Sequence, residues 1–172
     1  MDAINQAQSI ATSGALEIWA CFLNFMVLLV IAAVLFAFSY KFGRASFLSL
    51  IIAFYVGFAI YTVFPYTAVI TAAGTTPLST TVASVLLYLV LTGVSYMVIR
   101  KSSDGGILTM GNIGVLILAL LTGGFLIALS YHTFAIQDLY RFTPQIEMYF
   151  TPAKYFFWWF IAPILGLIGL AR

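Results

Sequence analysis

Hydrophobic residues lie along the chain in four long runs joined by short links, and in a fifth, shorter run that follows a longer segment. The runs predict membrane-spanning helices over residues 16–40, 46–66, 79–99, 107–130 and 155–171. An α-helix rises about 1.5 Å per residue, so about 20 apolar residues cross a hydrocarbon core of about 30 Å. The pattern therefore predicts an all-α fold: a polytopic transmembrane helical bundle with about five spans, forming a single integral membrane domain over residues 1–172.

The fifth run is the shortest and leaves an alternative open. As a helix it extends about 25 Å, which is close to the lower limit for a span. Pro163 removes one backbone hydrogen bond within it, although membrane helices tolerate proline. We expect this run to cross the membrane. The alternative is four spans followed by a re-entrant or interfacial C-terminal helix.

Composition supports the assignment to a membrane. Of the 172 residues, 63% are hydrophobic and 7% are charged, whereas about a quarter of the residues in a soluble domain are charged. The net charge of +2 gives no indication of nucleic-acid binding, and we expect none. The chain before the first run has no Lys or Arg, which a secretory signal would need, so we expect the first run to be retained.

The basic residues predict an orientation in the membrane. The links over residues 41–45 and 100–106 hold four of the seven basic residues, whereas the link between the second and third runs has no charge. Links rich in Lys and Arg remain on the cytoplasmic side of a membrane. We therefore expect both basic links to be cytoplasmic, the N-terminus to lie outside, and the protein to reside in the plasma (inner) membrane.

The segment over residues 131–154 is neither a short turn nor a span. It combines many aromatic residues with one histidine and four charged residues, His132, Asp138, Arg141, Glu147 and Lys154. Two Thr-Pro steps divide it, because proline disfavours the helical conformation in the residue before it. Aromatic side chains favour the headgroup layer. We expect an interfacial connector on the outer leaflet; the alternative is a lid or docking surface at a pore or partner.

Candidate chemistry is sparse. Asn24 lies within the first run, where we expect interhelical hydrogen bonding, with the lining of a pathway as the alternative. His132 is the only histidine and falls at the outer end of the fourth run, where its ring reaches water, so we expect a structural or interfacial role. The alternative is a proton relay with Asp138 or Glu147, which rests on closeness in sequence alone. The chain has no metal-ligand spacing and no catalytic motif. We expect no metal, no cofactor and no enzymatic activity.

Small residues at four-residue spacing predict close contacts between helices. The pairs are Ala53 with Gly57, Ala119 with Gly123, and Gly124 with Ala128. Such pairs allow two helix backbones to approach each other. They predict association within the chain or between chains, so besides the lipid bilayer we expect partners in a homo- or hetero-oligomer with other membrane proteins.

The first link and the run after it resemble the first hairpin of CvpA-type proteins, the colicin V production family. The residues that carry the resemblance are Gly43, Arg44, Leu48, Ser49 and Leu50. It covers residues 18–66 and departs from the family pattern by lacking a second glycine in the link. The resemblance implies an inner-membrane protein associated with secretion or envelope processes, without established catalytic residues.

These features predict a non-enzymatic inner-membrane protein that serves as a structural or assembly subunit of an envelope or secretion-related complex. One alternative is a small oligomeric channel or carrier, with Asn24 and the outer segment at the pathway. A second is a lipid-modifying membrane enzyme that uses His132 with Asp138 or Glu147. No Lys, Arg or Asp lies near the middle of a predicted span, which disfavours an ion pump or a proton-coupled transporter.

Overall fold

The computed structural model describes residues 25–65, 76–102, 111–134, 136 and 144–170. Within these ranges the regular secondary structure is entirely helical, which confirms the predicted all-α fold. In chain order the helices are α1 (Met26–Phe42), α2 (Arg44–Val63), α3 (Pro77–Ser102), α4 (Asn112–Thr133), α5 (Pro144–Phe150) and α6 (Ala153–Leu170).

Four of these helices, α2, α3, α4 and α6, are long and apolar enough to cross a membrane. Helix α1 is apolar but has 17 described residues, and residues 16–24 of the predicted first span lie outside the described part of the chain. The bundle of about five membrane-capable helices is therefore confirmed. The fifth run forms α6, which continues as a helix through Pro163.

The first link is tighter than the sequence indicated. Lys41 lies in the last turn of α1 and Arg44 is the first residue of α2, so Gly43 alone separates the two helices. Gly43 has φ 89° and ψ 159°, a conformation essentially restricted to glycine. The predicted link was too long because basic side chains at a helix end extend to water, and the backbone beneath them stays helical.

Helix α3 begins with a reciprocal cap. The backbone N–H of Ser79 donates to Thr76 Oγ1 at 3.3 Å, and the backbone N–H of Thr76 donates to Ser79 Oγ at 3.1 Å. Pro77 occupies the first helical position, where the missing N–H of proline costs no hydrogen bond. The helix therefore starts two residues earlier than the apolar run predicted.

Helix α4 lies at the centre of the bundle. Twelve of its 22 residues are buried, compared with seven of 20 in α2 and three of 17 in α1. Helices α1 and α6 pack directly on α4, while α3 packs mainly on α2. Helices α3 and α6 therefore form the two edges of the bundle, and in α6 only Pro163 is buried.

Helices α2 and α4 run in the same direction. At their starts, Arg44 Nη2 donates to Asn112 Oδ1 at 2.9 Å. At their ends, the rings of Tyr61 and Phe134 meet edge to face with centroids 5.3 Å apart. The link through Gly43 reverses the chain, so that α1 runs opposite to both.

The basic residues of the two predicted links gather at one end of the bundle. The ring of Phe38, near the end of α1, contacts the ring of Tyr96, near the end of α3, with centroids 6.0 Å apart. Arg100 lies one turn beyond Tyr96, and its guanidinium is 5.9 Å from the centroid of that ring. We call this the basic end, formed by Lys41, Arg44, Arg100 and Lys101.

Candidate functional site

All six small residues with predicted packing positions are buried. Ala53, Ala119 and Ala128 are fully enclosed, and Gly57, Gly123 and Gly124 are buried as well. The three glycines face three different helices. They therefore mark close contacts between neighbouring helices.

Gly57 forms the contact between α2 and α3. A Cβ atom at this position would lie 3.0 Å from Thr92 Cα and would also collide with Thr92 Oγ1. Real Cβ atoms essentially never approach a backbone atom more closely than this. The absence of a side chain at Gly57 therefore sets the distance between the two helices.

The face of α3 that packs on α2 carries hydroxyl groups throughout. Its buried residues are Thr81, Ser84, Tyr88, Thr92 and Ser95, whereas its exposed face is apolar and includes Val82, Leu86, Val90 and Met97. The Tyr88 hydroxyl donates to the Phe54 carbonyl oxygen of α2 at 3.2 Å. This helix is polar toward protein and apolar toward the surroundings, which fits a helix solvated by lipid.

The prediction from small residues missed this hydroxyl-bearing face. The signal that identifies it is present in the sequence, because these five residues recur at steps of three or four positions. In a span, such spacing places all the polar groups on one side of the helix. That side must face protein, since lipid offers no hydrogen-bond partner.

Gly123 forms the contact between α4 and α1. A Cβ atom there would lie 3.3 Å from Leu28 Cδ1, 3.5 Å from Ile31 Cγ2 and 3.7 Å from the backbone nitrogen of Ala32. The α1 backbone thus passes close to α4, and the side chains of Leu28 and Ile31 contact the position of the glycine. This contact tolerates only a small residue on α4 without displacement of α1.

Gly124 forms the contact between α4 and α6. The indole of Trp159 lies against it, with Cε3 2.6 Å from the position of a Cβ atom and Cζ3 closer still. The Trp159 ring also stacks on Phe150 of α5, with centroids 4.4 Å apart. Trp159 Nε1 donates to the carbonyl oxygen of Tyr149 at 3.2 Å. One tryptophan therefore joins α4, α5 and α6.

Helix α5 is docked on the bundle. Ile146 and Phe150 are fully buried in a cluster with Ile127, Ala128 and Tyr131 of α4. Met148 and Tyr149 point away, with 63% and 51% of their surface exposed. The described part of the predicted interfacial segment thus has an apolar side packed on α4 and an outer side that stays open.

Three aromatic residues fill the space between α2, α4 and α6. The ring of Tyr55 stacks on Phe125 with centroids 4.8 Å apart, and both rings meet Phe160 edge to face. The Tyr55 hydroxyl donates to the Phe160 carbonyl oxygen at 2.6 Å. Pro163 lies three residues further along α6 and has no N–H to donate to the carbonyl of Trp159. The Tyr55 hydroxyl therefore adds a hydrogen bond to α6 close to this break in its backbone bonding.

The candidate polar residues are only partly within the described chain. His132 is exposed at the end of α4, and its ring contacts Phe156 with centroids 4.5 Å apart. Glu147 is half-buried on α5. Asn24, Asp138 and Arg141 lie outside the described residues, so the suggested relay stays a prediction. Within the described ranges, no group of three or more His, Cys, Asp or Glu side chains is placed to hold a metal ion.

A cavity of about 220 Å³ opens at the basic end between α1, α2 and α4. Its lining residues are Phe36, Ser39, Tyr40, Gly43, Arg44, Asn112 and Val115. We call it the basic-end cavity. The Arg44–Asn112 hydrogen bond crosses its rim, and Ser39, which is 3% exposed, lies in its wall. The cavity thus combines a cation, an amide and a hydroxyl with an apolar floor.

Comparison with protein-family models, curated proteins and solved structures found no match to this chain. The resemblance of the first hairpin to CvpA-type proteins therefore stays a prediction. None of the contacts described above depends on it, because each follows from the geometry of the helices themselves.

Proposed function

We propose that this multi-spanning membrane protein is a non-enzymatic structural or assembly subunit that associates with other membrane proteins or with copies of itself. The observation that carries the proposal is the openness of the edge helix α6. Among its 18 residues only Pro163 is buried, and an added Cβ at Gly169 would meet nothing within 4 Å. Because Gly169 has no side chain, a partner helix could approach the end of α6 closely.

The filled interior supports an assembly role over conduction through a single chain. The rings of Tyr55, Phe125 and Phe160 occupy the space between three of the spans. In the described part of the chain, one cavity lies at the basic end and another on the outer surface of α2, away from these rings. A channel formed between several chains stays an alternative, and it shares with our proposal the need for association.

Cysteine cross-linking in the native membrane tests the proposal. Ile168 is 70% exposed on α6, and Ile168→Cys in a Cys21→Ala background should form a cross-linked product with a short bifunctional thiol reagent. The product should exceed the 18.8 kDa of one chain. Val34→Cys on α1, which is 63% exposed, provides the control for chance collisions in the bilayer.

A second variant tests whether the cross-linking at position 168 depends on the small residue beside it. Gly169→Leu should abolish cross-linking at position 168 because a large side chain separates helices that small residues bring together. Ile164→Leu, a volume-conserving change on the same helix, should leave it intact. Equal cross-linking at positions 168 and 34, together with a single 18.8 kDa species after mild extraction, would contradict an assembly role.

We further propose that the basic end faces the cytoplasm of a bacterium and that the complex belongs to the plasma membrane. The gathering of Lys41, Arg44, Arg100 and Lys101 at one end supports this orientation. Tyr40→Cys at the basic end should resist an impermeant thiol reagent in intact cells, and Met148→Cys at the opposite end should react. The association with envelope or secretion processes rests on the resemblance to CvpA-type proteins.

A further inference from the structure

We propose that the basic-end cavity binds a phosphate group, carried either by the headgroup of an anionic phospholipid or by a small soluble phosphate. The proposal rests on three independent features of the cavity: its donors, its volume and its position. It does not depend on whether the protein assembles with partners.

Three residues with polar side chains, Ser39, Arg44 and Asn112, line the cavity. Arg44 uses Nη2 to bond Asn112 Oδ1, and this bond holds the guanidinium beside the cavity. A guanidinium carries five N–H donors, so this bond alone does not exhaust them. A held guanidinium presents its donors in a plane, which matches the oxygen atoms of a phosphate. Ser39 adds a hydroxyl from within the wall.

The first turns of α2 and α4 supply further N–H groups near Arg44. Gly43 precedes α2 and lines the cavity, and Asn112 begins α4 after Gly111. Both preceding residues are glycines, so neither helix has a side-chain cap for the N–H groups of its first turn. Uncapped N–H groups and the positive end of the helix dipole favour an anion.

The volume of the cavity suits a small ligand group. A cavity of about 220 Å³ lies below the range of about 300–1,000 Å³ that drug-sized ligands occupy, but it accommodates a phosphate with a short polar substituent. Phe36 and Val115 form apolar wall below the polar rim. This layering suits a group whose charged part faces water and whose other part extends toward lipid.

The position suits a membrane ligand. The cavity lies where α1 ends and α2 and α4 begin, at the water-facing end of three spans. Lys41, Arg100 and Lys101 surround this end and raise the local concentration of anions. Basic pockets between transmembrane helices are a general means of holding anionic headgroups.

Binding measurements on the full-length protein in neutral detergent test the proposal. The probes are dioctanoyl phosphatidylglycerol, dioctanoyl phosphatidylcholine and inorganic phosphate, each titrated while the melting temperature is recorded. We expect saturable stabilisation by phosphatidylglycerol and weaker stabilisation by phosphatidylcholine, whose choline is repelled by the basic end. Stabilisation by the lipid alone assigns the phosphate to a headgroup, and equal stabilisation by inorganic phosphate assigns it to a soluble ligand.

Matched variants locate the site. Arg44→Gln should weaken the binding of phosphatidylglycerol by about tenfold, which is the loss expected for a hydrogen bond to a charged group. Lys101→Gln removes the same charge from the same end but lies outside the lining, and it should change binding less than about twofold. Equal weakening by both variants would overturn the proposal, because it would mean diffuse attraction without a site.

An isosteric variant keeps the test valid if Arg44→Gln does not fold. Asn112→Asp preserves the shape of the rim, but its carboxylate neutralises Arg44 and repels a phosphate, so binding should again fall by about tenfold. Retention of wild-type affinity in Asn112→Asp would overturn the proposal. So would the absence of saturable binding of every phosphate probe to the wild-type protein.

Discussion

The indole of Trp159 occupies the space that a side chain at residue 124 would fill, with Cε3 2.6 Å from the position of a Cβ atom on Gly124. The same indole stacks on Phe150 and donates a hydrogen bond to the carbonyl oxygen of Tyr149. The absence of a side chain at one residue therefore allows one ring to hold α4, α5 and α6 together.

Gly124→Ala should lower the free energy of unfolding by about 1–3 kcal/mol, the usual range for overpacking a buried site. The added methyl group must displace a ring that is held on two other sides. The measurement is unfolding by sodium dodecyl sulfate in mixed micelles. The cost should shrink in a Trp159→Leu background by about 0.5–3 kcal/mol, as expected for residues in direct contact. An unchanged cost in that background would show that Trp159 is not the obstacle.

Gly57→Ala should destabilise the contact between α2 and α3, because the nearest backbone atom, Thr92 Cα, is 3.0 Å from the new methyl group and cannot rotate away. The expected cost is about 1–3 kcal/mol. Gly93→Ala is the control, since an added Cβ there meets nothing within 4 Å and alanine is the better helix former. The measurement is the melting temperature of each variant, and we expect that of Gly57→Ala to be the lower. Equal melting temperatures would mean that α3 does not pack against α2 at Gly57.

Gly123→Leu should separate α1 from α4, since Leu28 and Ile31 already lie within 3.5 Å of where a Cβ would be. The melting temperature in detergent should fall. Leu116→Ile on the same helix conserves volume at a residue that is 45% exposed, and it should change little. If the protein tolerates both changes equally, α1 does not rest on Gly123.

Gly43→Ala should cost about 1–3 kcal/mol, because φ 89° with ψ 159° is a conformation that residues with a Cβ rarely adopt. Gly111→Ala is the matched control at the start of α4. Gly111 has φ −67°, which alanine adopts without strain, and nothing lies within 4 Å of an added Cβ. Its cost should stay below about 1 kcal/mol, the size of a cap preference. Equal costs from denaturation curves would argue against the one-residue link.

Tyr55→Phe should lower stability by about 0.5–1.5 kcal/mol through loss of the hydroxyl that bonds the Phe160 carbonyl oxygen. The ring contacts with Phe125 and Phe160 remain in this variant, so the change isolates the hydrogen bond. Tyr40→Phe, at a residue that is 86% exposed, should have no measurable effect. A Tyr55→Phe protein with wild-type stability would show that this hydrogen bond makes no net contribution to the free energy of unfolding.

The sequence by itself determined the class of the fold and the approximate bounds of its helices. Apolar runs of about 20 residues have one stable form in lipid, because a helix satisfies its own backbone hydrogen bonds where no water is present. The same reasoning predicts that polar residues within a span face protein. The hydroxyl-bearing residues of α3 from Thr81 to Ser95 obey this rule, because their spacing places them on one side of the helix.

Only the tertiary structure decided which helices meet and where a site forms. The small pairs that include Gly57, Gly123 and Gly124 indicate close contacts, but the spacing on one helix does not specify the helix opposite. The basic-end cavity likewise joins Arg44 to Asn112, which are 68 positions apart. Hydropathy acts along one helix at a time, whereas packing depends on the fit between side chains of different helices, and that fit exists only once the bundle has formed.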